Sequence, residues 1–335
     1  MSERSSLEPA PPLDPRAPAR ARAAELDVVG IGQSSLDRVC LLEAPPPLGG
    51  KASLLGSHEL PGGQIATAML ACARLGLRAA YVGTVGDDAA AEAVLAPLAR
   101  AGVDLRGVQR VAGAPTRSAT VLVDARSGER TILGYRDPRL ALSPEDLEPG
   151  LIEGAACLHL DAVDPEASGF AADVAHRAGV PVVLDADSSG PGLEKLLAKI
   201  DFPIVSRGLA EAMGGQGGLR GALSELCALG ARVAVVTLGE YGALARHGER
   251  VIESPAFRVD ARDTTGAGDV FPAAIVGGLL EGLGCEAILR AANAAAAMSC
   301  RSLGAQGGLP TRAELEAFLR EQRPAAWREP EGDGR

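Results

Sequence analysis

DTTGAGDVFPAAIVGGLLEGL, Asp263 through Leu283, joins a glycine-rich turn to an apolar run of helical length. Gly266 and Gly268 put no Cβ in the way, so the backbone can turn sharply and bring its N–H groups close to a ligand. Val270, Phe271, Ala273, Ala274, Ile275, Val276, Leu279 and Leu280 follow directly, which sets the glycines at a helix N-terminus. There the first N–H groups lack intrahelical acceptors and the macrodipole is positive, so the position favours an anion. Pro272 reads as a first-turn proline, where its missing donor costs nothing.

Asp269 makes this nest a candidate reaction centre. A carboxylate set where an incoming anion would be repelled needs a reason, and proton transfer supplies one. A hydroxyl attacking a terminal phosphoryl group must lose its proton, and a neighbouring carboxylate can take it, a general-base contribution of about 100- to 10,000-fold. The amides of Gly266, Ala267 and Gly268 would stabilise charge on the group in transfer. The plainer alternative has Asp263 and Asp269 capping a buried helix around a tight turn.

The full string DTTGAGD followed by an apolar helix resembles the C-terminal signature of the ribokinase-like, or PfkB, carbohydrate kinases. That resemblance implies Asp269 as catalytic base, Gly266, Ala267 and Gly268 as anion hole, Thr264 at the nucleotide and Asp263 beside a metal. It also implies a three-layer α/β/α sandwich on a mainly parallel sheet, with a small β-sheet as a lid. ATP and Mg2+ come with it, and a monovalent cation such as K+ as an accompanying ion.

Composition narrows the other options. A chain of 335 residues at 47% hydrophobic has the core for one large α/β domain or two smaller ones. Lys51, Lys195 and Lys199 are the only lysines and no GK[ST] triplet occurs, which removes a Walker-type phosphate loop. A net charge of −10 argues against a nucleic-acid partner. Cys40, Cys72, Cys157, Cys227, Cys285 and Cys300 lack CxxC spacing or paired histidines and read as reduced packing residues of a cytoplasmic protein. No apolar run reaches the ~20 residues of a membrane span. Residues 1–25 are expected to be a disordered arm and 323–335 a disordered tail, flanking a kinase domain over 26–322.

Leu26–Ile31 (LDVVGI) reads as a buried parallel strand. Gly30 and Gly32 half-match a dinucleotide fingerprint, but Leu36–Leu42 reads as another strand, so no helix N-terminus is available for a pyrophosphate. Residues 36–60 and 108–136 hold the strands expected to form the lid, with strands over Ala52–Glu59, Ser118–Val123 and Glu129–Leu133. From Cys157 on, short apolar runs alternate with helical stretches such as Ala171–Ala178 and Leu219–Leu229, the pattern of a parallel sheet with crossover helices.

The resemblance extends along this order. An aspartate just past the first strand binds sugar hydroxyls in the family, which implies that role for Asp37. Gly62 and Gly63 open a helix as the family's N-terminal signature does, although Thr67 stands where the family has Asn, leaving Gln64 to supply an amide. Thr237, Gly239, Glu240 and Gly242 resemble the TxGxxG turn that touches nucleotide phosphates. The metal-organising N-x-x-E motif is replaced by Ser206, Arg207, Gly208 and Leu209, with Glu211 or Glu240 as stand-ins. Asn293, within an alanine-rich helix, would border the adenine. In sum the chain reads as an ATP-dependent kinase acting on a primary hydroxyl of a small sugar, forming a homodimer through the lid. A nucleoside kinase, a sugar-phosphate kinase using Arg136 and Arg139, or a catalytically weak sugar- or nucleotide-binding protein are the alternatives.

Overall fold

A computed structural model describes residues 17–44, 46–328 and 330. Its larger sheet is built from β1 (Leu26–Ile31), β4 (Ala79–Gly86), β5 (Asp104–Val111), β8 (Ala155–Asp161), β9 (Val182–Ala186), β10 (Phe202–Ser206), β11 (Val233–Thr237), β12 (Gly242–His247) and β13 (Arg250–Pro255). Their order is β13-β12-β11-β10-β9-β8-β1-β4-β5. The smaller sheet, ordered β3-β2-β6-β7, contains β2 (Ser35–Leu42), β3 (Gly56–Gly62), β6 (Ser118–Asp124) and β7 (Arg130–Tyr135). β1, β8 and β9 are buried at every position, as strands covered on both faces must be. Pairing is parallel from β5 through to β11 and antiparallel for β11–β12 and β12–β13. The reason is connection length: only the short turn Gly239–Tyr241 joins β11 to β12, too little chain for a crossover.

The helices are α1 (Ala17–Ala23), α2 (Gln64–Arg74), α3 (Ala89–Arg100), α4 (Pro149–Glu153), α5 (Pro165–Arg177), α6 (Leu193–Leu197), α7 (Arg207–Gly214), α8 (Gly218–Ala228), α9 (Ala267–Glu281), α10 (Cys285–Ser299) and α11 (Arg312–Glu321). Alternate strand residues point to opposite faces, and two cores result. Val28, Val183 and Ile204 meet α2, α9 and α10, whereas their neighbours Val29, Leu184 and Val205 meet α5, α6 and α8. α9 is buried at each residue from Val270 to Leu280, so it is apolar all round and lies enclosed against α2 and α10.

Several expectations need correcting. Pro272 is the sixth residue of α9, not a first-turn residue, so it leaves the Gly268 carbonyl without its helical donor. The lid range 108–136 starts too early, because β5 runs to Val111 and belongs to the edge of the larger sheet. The strand expected over Ala52–Glu59 begins at Gly56. The expected disordered arm over 1–25 is helical from Ala17 to Ala23 and docked: Arg20 donates to the carbonyls of Ala155, Ala178 and Glu153 at 2.8, 2.9 and 2.7 Å. Those acceptors lie at chain reversals that the sequence pattern does not pair with an N-terminal arginine. The rest of that arm lies outside the described residues. In the expected tail, Ala325 N–H donates to the Ala256 carbonyl at 2.8 Å and Trp327 packs against the second core. One buried indole face is enough to hold such a segment down.

Candidate active site

α9 begins where the sequence places the glycines. Gly266 is its N-cap at φ 82°, a left-handed conformation that suits glycine. Ala305 closes the other side, since a Cβ on Gly266 would lie 2.6 Å from the Ala305 Cα. Ala267 N–H points at the Thr264 carbonyl (3.3 Å) and Asp269 N–H at the Gly266 carbonyl (3.0 Å). Among the described residues the N–H groups of Gly266 and Gly268 meet no protein acceptor, so two of the three expected amides stand open.

Asp269 sits on the first turn of α9, keeps part of its surface open and accepts no protein hydrogen bond among the described residues. Burial pushes its pKa well above the usual carboxylate range, the nearby charge of Asp185 adds to this, and the Arg130 guanidinium opposes it. The carboxylate therefore holds its proton to higher pH than a free aspartate does and caps no helix N–H among the described residues.

Asp263 is fully enclosed, with Oδ1 accepting Thr265 N–H at 2.9 Å and Oδ2 accepting Gly304 N–H at 2.8 Å. Its carboxylate therefore braces two loops against each other and is not available to a metal, a correction to the expected role. Thr264 also faces protein: its hydroxyl donates to the Gly128 carbonyl at 3.0 Å and accepts from Arg130 Nη1 at 3.0 Å. Gly128 and Arg130 belong to the β6–β7 hairpin, so the smaller sheet is latched to the anion loop.

On the acceptor side, Asp37 projects from β2 and is buried. Oδ1 accepts from Ser35 Oγ at 2.6 Å, and Oδ2 lies 2.1 Å from where a Cβ on Gly62 would be, so that glycine is required by space. Burial raises the Asp37 pKa, with the Ser35 bond and the Arg117 charge pulling the other way. Gly63 caps α2 with φ 92°. Gln64 is engaged by protein, its Oε1 accepting from Gln33 Nε2 at 2.7 Å and its Nε2 reaching Asp185 Oδ2 at 3.3 Å. Thr67 is enclosed and its hydroxyl has no partner among the described residues.

Asp161 and Asp185, at or near the ends of β8 and β9, complete the acidic wall. Burial lifts the Asp161 pKa to about 6 against two backbone N–H bonds from Gln33 and Val163, and lifts that of Asp185 well above the usual range. Sequence reading passed over both, although each closes an apolar strand run in the way that Asp37 follows the first strand. That strand-end position is the signal that could have found them.

Elsewhere the expected contacts divide. Gly239 (φ 57°) and the exposed Glu240 form the turn after β11, Gly242 follows at φ 105°, and Thr237 Oγ1 is 3.4 Å from the Val205 carbonyl. Asn293 is buried and its Nδ2 donates to the Ser254 carbonyl and hydroxyl, both at 2.9 Å, so it ties α10 to β13 instead of bordering a base. Glu211 is ion-paired with Arg207 Nε at 2.7 Å on an open helix face, which removes it as a metal ligand. Arg136 is closed off by Asp164 (3.0 and 2.6 Å) and the Leu140 carbonyl. Among the described residues no group of three or more His, Cys, Asp or Glu side chains is placed to hold a metal by itself.

Comparisons with known proteins bear on the family and the fold. The family model described as "pfkB family carbohydrate kinase" matches residues 47–312. The chain is 30% identical over 304 residues to a ribokinase of Bacillus subtilis (strain 168), an alignment covering 86% of this chain and 98% of that protein. It is 31% identical over 307 residues to an ATP-dependent ribose-1-phosphate kinase of Halopiger xanaduensis, covering 88% and 98%. Among solved structures, a putative ribokinase from Agrobacterium tumefaciens superposes with a TM-score of 0.82 at 29% identity, covering 88% of this chain and 98% of that one. Arabidopsis thaliana ribokinase complexed with ribose and ATP superposes with a TM-score of 0.72 at 27% identity, covering 88% and 99%. Matched by that family model over most of its length, and aligned over 86 and 88% of it with kinases at 30 and 31% identity, the chain belongs to the pfkB family of carbohydrate kinases, ATP-dependent enzymes that phosphorylate sugars.

Proposed function

We propose that the chain transfers the γ-phosphoryl group of ATP to a primary hydroxyl of a small, uncharged sugar, with Asp269 as general base. The observation that carries this reading is Asp269, whose carboxylate meets no protein hydrogen-bond partner among the described residues, on the helix turn that opens with the unfilled amides of Gly266 and Gly268. As the acceptor oxygen bonds to the γ-phosphorus, the bond from phosphorus to the β–γ bridging oxygen breaks, ADP departs and the hydroxyl proton passes to Asp269. The open amides meet the charge on the transferring group, and Asp37 accepts hydrogen bonds from sugar hydroxyls. With the N-x-x-E motif gone, Glu211 paired with Arg207 and Asp263 enclosed, Glu240 on the turn after β11 is the stand-in carboxylate left open for Mg2+ arriving with the nucleotide phosphates. The latch between Thr264 and the β6–β7 hairpin couples the smaller sheet to the anion loop, and closure of that sheet over bound sugar would exclude water and limit idle hydrolysis.

An uncharged sugar is preferred over the two related acceptors for specific reasons. A phosphorylated sugar needs free basic groups, but Arg136 is held by Asp164 and Arg139 by Asp137 and the Gly113 carbonyl. A nucleoside needs an aromatic platform, but Tyr81 is in the core with its hydroxyl on the Gly32 carbonyl, and Tyr135 faces outward. The test is ADP release across a panel of pentoses, hexoses, sugar phosphates and nucleosides. Turnover is expected with at least one free sugar; ATP binding with no turnover on any acceptor would leave only a binding protein.

The homodimer is proposed on the same sheet. On the edge strand β7, Leu133 and Tyr135 are 59 and 58% exposed on one face and Ile132 is 52% exposed on the other, apolar surface that a second copy would cover. Sedimentation should give a dimer for the parent and a monomer for Leu133→Asp. A parent that sediments as a monomer ends that proposal. ATP as donor and six free cysteines suit a cytoplasmic setting, and among the described residues no helix is long and apolar enough to cross a membrane.

A further inference from the structure

We infer that Arg117 selects the acceptor, its guanidinium donating to two neighbouring hydroxyl oxygens of the sugar. This rests on the sugar-kinase reading above and adds a residue that the sequence motifs do not mark. Arg117 lies just before β6, and its carbonyl accepts Leu36 N–H at 3.0 Å, which sets it beside the strand bearing Asp37. The residue is half-buried, and its Nε is shut off from solvent with no acceptor among the described residues. A guanidinium left with an unmet donor is costly, and here it stands next to the strand that bears Asp37, with its remaining nitrogens free to meet a ligand.

Its neighbours decide which ligand oxygen. Asp161, Asp37 and Asp187 lie close enough to act on the Arg117 charge, yet none of them reaches ion-pair distance among the described residues. Arg136, the other nearby cation, is held by Asp164. A single free fork within a ring of carboxylates disfavours an anionic acceptor and suits a polyol. The carboxylates take hydroxyl protons while the guanidinium supplies donors to hydroxyl oxygens, and its planar geometry spans two adjacent oxygens as an ammonium cannot.

The experiment compares Arg117→Lys and Arg117→Ala with the parent, using the best sugar from the acceptor panel. Lysine retains the charge facing Asp37 and Asp161 and removes Nε; alanine removes both. Acceptor KM is expected to rise at least about tenfold in both variants, with ATP KM within about twofold of the parent, as for loss of a hydrogen bond from a charged group to substrate. A melting temperature near the parent's for the lysine variant certifies the fold. An unchanged acceptor KM in Arg117→Lys would reduce the residue to a counter-charge and overturn the inference, as would an equal rise in ATP KM. A parent enzyme that turns over only carboxylate-bearing sugars would overturn the hydroxyl assignment while leaving the kinase reading intact. A parent inactive on every sugar would show up before any variant is made, and would count against the function itself.

Discussion

Asp269→Asn is expected to lower kcat by at least about 100-fold while ATP still binds, the loss that follows removal of a general base. The substitution keeps the size of the side chain and its place on the first turn of α9, so the open amides of Gly266 and Gly268 should stay as they are. The pH dependence gives a second readout. Burial first, and the Asp185 charge next, raise the folded-state pKa of Asp269, so it works as a base only above that raised value. In the parent, kcat/KM should therefore fall on acidification through a midpoint above the ordinary aspartate range, and this limb should vanish in the variant.

Stability should move the other way. A carboxyl whose pKa is raised on folding binds its proton more tightly in the native state than in the unfolded one. Its stabilising contribution is present below the unfolded pKa and is lost as pH rises through the folded pKa. Ionising Asp269 above its raised pKa therefore costs stability, and Asp269→Asn should melt no lower than the parent, the usual trade between stability and activity at a reacting group. Full turnover in this variant, measured as sugar-dependent ADP release, would remove the base from the scheme.

Gly266→Ala is expected to have an effect of similar size on turnover by a different route. At φ 82° an alanine is strained, by about 1–3 kcal/mol. Its methyl would also lie 2.6 Å from Ala305 Cα, a clash with backbone that no rotamer change can relieve, adding about 1–3 kcal/mol. The loop must shift, and with it the amides aimed at the phosphoryl group, for which a loss of about 100- to 1,000-fold in kcat is the usual scale. Gly268→Ala is the control, because a Cβ there meets nothing within 4 Å and the residue has no positive φ. Thermal melting and kcat for the pair separate the two positions. Equal, mild effects at both would mean that the left-handed cap does not shape the nest.

The two substitutions also mark what was readable in advance. Turn, amides and carboxylate fall within a few consecutive residues, so the sequence carries nearly all of their geometry, and the nest appears where the string DTTGAGD predicts it. The parallel sheet was legible for a similar reason, since LDVVGI and the apolar runs after Cys157 are continuous as doubly covered strands must be. Pro272 and the lid boundary were misjudged by a few residues, the scale on which helix starts and strand ends depend on neighbours in space.

Side-chain roles set by distant partners were not legible. Asn293, Arg136 and Asp263 each have the chemistry of a ligand contact, but Ser254, Asp164 and Gly304 engage them across the fold. Conversely, Asp161 and Asp185 carry only the general signal of a strand end and Arg117 none, and all three gain their meaning where β8, β9 and β6 bring them towards Asp37 and Asp269. By itself the sequence determined the layered α/β architecture, the glycine-capped helix start and the place of Asp269 on its first turn, because those depend on backbone conformation and on residues adjacent in the chain. Only the tertiary structure decided which polar groups are free to meet a substrate, because a hydrogen-bonding group is available or engaged according to what folding brings within about 3 Å of it.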